Sequence, residues 1–110
     1  MNNLTINNIG GNLVKDTDVY RIQDNTDLKQ LVVSSTLLYP GKSTRGHTHA
    51  GQEEVYMFIS GTGTMQLDEA TFTVSSGDMI LIQDGVFHKV SNDSDSNLYF
   101  VCVFNGVRSH

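Results

Sequence analysis

His47 and His49 stand two residues apart, with the carboxylates of Glu53 and Glu54 close behind them. On an extended strand, residues i and i+2 face the same side. The pair therefore presents two imidazoles to one sheet face, and either glutamate can return to that spot from the next strand. A second stretch, Gly77-Asp-Met-Ile-Leu-Ile-Gln83-Asp-Gly85-Val-Phe-His88, reads as strand, turn and strand, with His88 opening the second strand. Three imidazoles and a carboxylate form a mixed N/O donor set suited to one divalent transition ion: Fe, Mn, Ni, Zn or Cu. Four such ligands leave up to two octahedral positions for water or a bidentate substrate. The remaining histidine, His110, is the last residue of the sequence.

Other side chains near these ligands suit substrate binding. Arg45 has the parity of His47 and His49, and an inward guanidinium would clamp a carboxylate or phosphate bidentately. Gln52 lies in the loop that carries the ligands, and Tyr56 follows on the same strand as the glutamates, where it can form a pocket wall. Cys102, the single cysteine, sits in the apolar run Leu98–Phe104 and reads as a small buried hydrophobe rather than a nucleophile. Gly61-Thr-Gly63 lacks the context of a dinucleotide fingerprint and reads as a hairpin turn. Asp93-x-Asp95-x-Asn97 mimics the start of a calcium loop, but Leu98 stands where the glycine belongs and Phe104 where the closing carboxylate belongs. A solvated loop is the better reading there.

The elements that must position these residues are strands. The dominant period is two, and Gly or Asn/Asp/Ser clusters recur every 8–12 residues or so, as in all-β barrels and sandwiches. Candidate strands are 4–9, 13–14, 19–23, 29–39, 45–49, 55–60, 63–67, 70–74, 79–83, 88–91 and 98–104. A short helical turn near Asp24–Leu28 is the single departure from strand. With 110 residues the chain is one domain, 1–110, with one core. The formal charge is −5 and no Lys/Arg cluster exists, which argues against nucleic acid and against an anionic membrane surface. The longest apolar run falls far short of the roughly 20 residues of a membrane helix. The N-terminus lacks the pattern of a signal peptide, and one cysteine cannot form an intrachain disulfide, so a cytoplasmic location is expected.

The two ligand-bearing stretches resemble the paired signature motifs of the cupin superfamily. In the first, Gly41, His47, His49, Glu54 and Gly61 match at every spacing, covering 41–61. In the second, covering 77–92, Gly77, Gly85, His88 and Asn92 match, while Gln83 stands where proline is usual. That substitution removes a fixed φ before His88 but no ligand. The resemblance implies a six- to eight-stranded antiparallel β-barrel with jelly-roll topology, open at one end. It implies a metal held by His47, His49, Glu54 and His88, and it favours Glu54 over Glu53 through the spacing to Gly61. It also implies a homodimer in which an N-terminal strand, 4–9 here, is lent to the neighbour's sheet.

The function expected is that of a metal-dependent isomerase, epimerase or lyase acting on a small oxygen-rich substrate, such as a sugar, sugar acid or other carboxylate. Glu54 would serve as ligand or base. An Fe(II)-dependent dioxygenase is the redox alternative. A non-catalytic module that binds a small ligand is the third.

Overall fold

The computed structural model describes residues 3–48 and 50–106. Among these, nine strands and no helix form. They are β1 (Asn12–Asp16), β2 (Tyr20–Asn25), β3 (Leu31–Leu38), β4 (Glu54–Ser60), β5 (Thr62–Leu67), β6 (Ala70–Ser75), β7 (Met79–Ile82), β8 (His88–Ser91) and β9 (Leu98–Asn105). Two antiparallel sheets result, ordered β1-β2-β3-β9-β4-β7 and β6-β5-β8. Isolated bridges from Ser43 to Ser91 and from His47 to His88 add the 43–47 segment to the free edge of β8. The sheets face one another as a flattened barrel that hydrogen bonds do not close. The β1–β2 hairpin, paired only through β2 to β3, carries the strand count past the six to eight expected.

The period-two pattern places the core. Leu38, Phe58, Met65, Val90, Leu98 and Phe100 are each at most 1% exposed and pack between the sheets. Burial of each such side chain is worth about 1.5–3 kcal/mol. Farther along the same strands the inward positions become polar. Ser34 lies opposite Cys102 and Thr36 opposite Phe100, while Glu54 shares the inward parity of buried Tyr56 and Phe58. One end of the barrel is thus dry core, and the other has polar walls.

Three local expectations are corrected. Residues 4–9 form no strand: Thr5 and Asn8 pair with each other across a tight turn, because the Thr5 hydroxyl accepts from the Asn8 N–H at 3.0 Å and Asn favours turns. This segment folds onto its own sheet, where the Tyr99 hydroxyl donates to the Ile6 carbonyl at 2.8 Å and Asn25 Nδ2 to the Ile9 carbonyl at 2.7 Å. The helical turn at Asp24–Leu28 is absent. Asp24 and Asn25 finish β2 instead, and the Asp27 N–H caps onto Asn25 Oδ1 at 2.9 Å. Finally, residues 45–48 are not strand. Gly46 takes φ +78°, and a Cβ there would lie 2.5 Å from the Phe87 ring. The backbone turns beneath that ring and breaks the alternation on which the parity of Arg45 and His47 rested.

Candidate metal centre

Backbone pairing brings the imidazoles together before any side-chain contact does. The His47 N–H donates to the His88 carbonyl at 3.1 Å, and the His88 N–H returns the bond at 3.0 Å. Residues paired in this way stand directly opposite, with side chains on one face. The two rings accordingly meet edge to face, with centroids 4.3 Å apart. Glu54, at the start of β4, reaches across the barrel, and its Oε1 lies 3.2 Å from His88 Nε2. One donor atom from each of His47, Glu54 and His88 lies within 4.8 Å of the others. Glu53 is exposed on the opposite face of the chain; its N–H donates to Asn105 Oδ1 at 2.9 Å.

The tautomer of His88 follows from its other nitrogen. Nδ1 lies 3.1 Å from the Val86 carbonyl, which can only accept, so Nδ1 carries a proton. Neutral imidazole then has only its Nε2 lone pair to direct at Glu54. A lone pair facing a carboxylate oxygen at 3.2 Å is repulsive unless a cation, proton or metal, joins them. Two donors bound cis on a six-coordinate ion at about 2.1 Å sit about 3.0 Å apart. The donor set and its spacing therefore fit a divalent ion, and the Val86 contact is the kind of outer partner that fixes a histidine for metal binding.

The loops that hold these ligands are tied to one another. Asp68 pins the turn before His88: its N–H donates to the Phe87 carbonyl at 2.8 Å, and its carboxylate accepts from the Phe87 N–H at 3.0 Å. Asp84 Oδ1 accepts from the Gly51 N–H at 2.8 Å, joining that turn to the first motif's loop. The Val86 N–H closes the turn onto the Gln83 carbonyl at 3.2 Å, and Gly85 supplies φ +84°. The turn forms with glutamine where proline is usual. Asn92, at 1% exposure, holds the far end of β8. Its Nδ2 donates to the carbonyls of Leu38 at 2.9 Å and Ser96 at 2.8 Å. Its own Oδ1 accepts from the N–H and hydroxyl of Ser94.

A cavity of about 300 Å³ opens above the cluster. His47, Glu54, Tyr56 and Arg45 all line it, Arg45 from an exposed position. Tyr56 is 6% exposed and stacks on Phe100 with centroids 5.3 Å apart, so it is a rigid wall. Gln52 is not among the lining residues; it packs against Gly106, where a Cβ would meet its Nε2 at 2.9 Å. His49, expected as a ligand, lies outside the described residues, as does His110. Sequence reasoning did not single out Lys15, Ser34, Thr36 or Thr44, all of which line the cavity. Inward parity on β3 could have flagged Ser34 and Thr36. Lys15 carried no such signal.

A family model for the cupin domain matches residues 35–104. An oxalate-binding protein of Thermotoga maritima is 29% identical over 66 residues, which span 60% of this chain and 54% of that protein. A glucose-6-phosphate isomerase of Pyrococcus furiosus is 26% identical over 106 residues, spanning 84% of this chain and 56% of that protein. The chain thus spans little more than half the length of these relatives. Among solved structures, a predicted oxalate decarboxylase from Thermotoga maritima superposes with a TM-score of 0.73 at 22% identity, covering 80% of this chain and 81% of the other.

Proposed function

This chain belongs to the cupin domain family, and on that premise we propose that it binds one divalent transition metal and acts as an isomerase, epimerase or lyase on a small oxygen-rich substrate such as a sugar, sugar acid or other carboxylate. One observation carries the metal reading: His88 Nε2, its tautomer set by Val86, faces Glu54 Oε1 at 3.2 Å beside His47. His47, Glu54 and His88 would hold the ion, with His49 as the fourth ligand expected from the motif. A bound divalent ion would act as a Lewis acid, polarising substrate oxygens and acidifying a neighbouring C–H or hydroxyl.

The chain's own residues set the rest of the chemistry. Tyr56, backed by Phe100, walls the cavity and limits substrate thickness. Arg45 at the rim offers a planar donor pair to an anionic group. Gln52, which packs against Gly106 off the cavity wall, would reach substrate only by turning toward the mouth. Glu54 is the one carboxylate among the cavity's described lining residues, so any base role in proton transfer falls to it. The oxalate-binding and sugar-phosphate-isomerising relatives support a small anionic substrate.

The same fact favours a second reading. With Glu54 engaged as a ligand, no separate lining carboxylate remains to shuttle a proton, which suits non-catalytic capture of a small ligand. Metal content of the purified protein and of His88→Ala, followed by a turnover screen of sugar acids and sugar phosphates, tests both. Metal in the wild type, its loss in the variant and chelator-sensitive turnover are expected. Stoichiometric ligand binding without turnover would favour capture, and oxygen consumption with Fe(II) would favour a dioxygenase. An equal metal content in His88→Ala would refute the site.

The reading extends to assembly and location. A homodimer joined through the outer face of the larger sheet is supported by the apolar residues there. A single buried thiol, Cys102, suits a reducing compartment such as the cytoplasm.

A further inference from the structure

The mouth of the cavity carries a second cation that the two motifs do not contain. Strand β1 pairs Leu13 with Gln23 but Lys15 with Ile22, a register shift that leaves Val14 as an extra residue. Without that bulge Lys15 would stand opposite Arg21, which is exposed on the outer face. The bulge instead places Lys15 opposite inward Ile22, so that its side chain lines the cavity with Arg45, His47 and Glu54. Bulges at sheet edges commonly re-aim one side chain in this way. The ammonium nitrogen lies 6.0 Å from the centroid of the Tyr20 ring, which steadies the stem at the cavity wall. Neither Lys15 nor Arg45 forms an ion pair among the described residues.

The resulting charge distribution is uneven. The chain carries a formal charge of −5 with only seven Lys and Arg residues, yet two of them face one cavity whose single described carboxylate is a proposed metal ligand. Lys15 approaches from β1 and Arg45 from the segment beside β8, so they flank the opening from opposite sheets. Ser34 and Thr36 of β3 line the same cavity.

We propose that Lys15, re-aimed by the β1 bulge, pairs with Arg45 to clamp the distal anionic group of a ligand whose other end chelates the metal, so that the site selects small molecules with two separated anionic groups, such as phosphorylated hydroxy acids. The clamp rests on the metal reading above for the chelating end only. Anion recognition by the two cations stands on Lys15 and Arg45 themselves.

The test uses a matched pair of probes, 3-phosphoglycerate and glycerate, which share a hydroxy-acid end and differ in the distal phosphate. Calorimetric titration is made into Mn²⁺-loaded wild type, Lys15→Gln and Lys15→Arg. Wild type is expected to prefer the phosphorylated probe. Lys15→Gln should weaken that probe about ten-fold or more and glycerate less than about two-fold. Lys15→Arg should restore most of the loss, and Mn²⁺ affinity should be equal in all three. Equal affinity of wild type for both probes, or equal weakening of both by Lys15→Gln, would overturn the clamp. Should Mn²⁺ fail to bind, the metal reading fails, and the same titrations on the metal-free protein then decide the clamp. Retained, Lys15-dependent binding of the phosphorylated probe supports it, and no binding overturns it.

Discussion

With Nδ1 of His88 committed to the Val86 carbonyl, the ring has only Nε2 for chemistry, and Nε2 points at Glu54. The donor is buried at 1% exposure, so its rotamer and tautomer are set before any ion arrives. His88→Ala should therefore cost metal affinity more than the roughly 10- to 100-fold that loss of an outer partner costs. Isothermal titration with Mn²⁺ or Zn²⁺ measures it, and circular dichroism checks that the fold survives. Asn92 makes the opposite kind of contribution. It touches nothing in the cavity, but it satisfies the carbonyls of Leu38 and Ser96 in a fully buried position. Truncation to alanine strands those groups, and each unsatisfied partner costs about 1–3 kcal/mol. Asn92→Ala should lower unfolding free energy by about 2 kcal/mol or more in a urea titration. A loss below about 0.5 kcal/mol would show that water replaces the amide.

Between residues and molecule, turns and register decide how the strands present their side chains. The grouping of His47, Glu54 and His88 is legible in the sequence because motif spacing does not depend on strand register. Likewise the period of two places β3, β4, β5, β6, β8 and β9 within a residue or two, because turn residues bound them and β-favouring residues fill them. Three features escaped that logic. The β1 bulge depends on which residue pairs with Ile22, and that is settled by β2 rather than by β1's own sequence. The kink at Gly46 is dictated by the Phe87 ring, 41 positions away in the chain. The N-terminal segment alternates like a strand, yet its Asn residues close a turn against Thr5. That segment is held by the Tyr99 hydroxyl, whose pKa burial pushes above its ordinary 10.0, against a smaller lowering by Ser35. The folded chain thus keeps the proton where the unfolded chain has shed it. Stability is full below pH 10 or so and falls as pH climbs from there through the folded value. Tyr99→Phe should weaken the strap at neutral pH and flatten that alkaline slope. Hydrogen exchange at Asn8, whose N–H is bonded to Thr5, should quicken severalfold. An unchanged exchange rate would mean that the buried Ile9 side chain and the Asn25 bond to the Ile9 carbonyl hold the segment without Tyr99.

At the scale of the molecule, the two faces of the larger sheet are unlike. The inward face carries core and cavity, whereas the outward face carries two cross-strand rows: Val33, Val103, Val55 and Leu81, and beside it Met57 and Met79 with Val101, which is buried at 3% exposure. Neither row contains a charge. Leu81 is 68% exposed and Met79 61%, both on β7, whose far edge has no partner strand among the described residues. Two copies with a formal charge of −5 repel everywhere except across such an uncharged face. A two-fold contact there would set each row against its own copy and would cover the exposed edge of β7. Light scattering on a sizing column should then give a dimer at micromolar concentration. The double variant Met79→Glu with Leu81→Glu should give a monomer, because a two-fold axis brings each new carboxylate near its own symmetry mate at a cost of several kcal/mol. Both substitutions point away from the cavity, so metal binding should persist in the monomer. A wild-type monomer at about 100 µM would rule out this interface, and loss of metal in the double variant would show that the sheet, rather than its contact, had been disturbed.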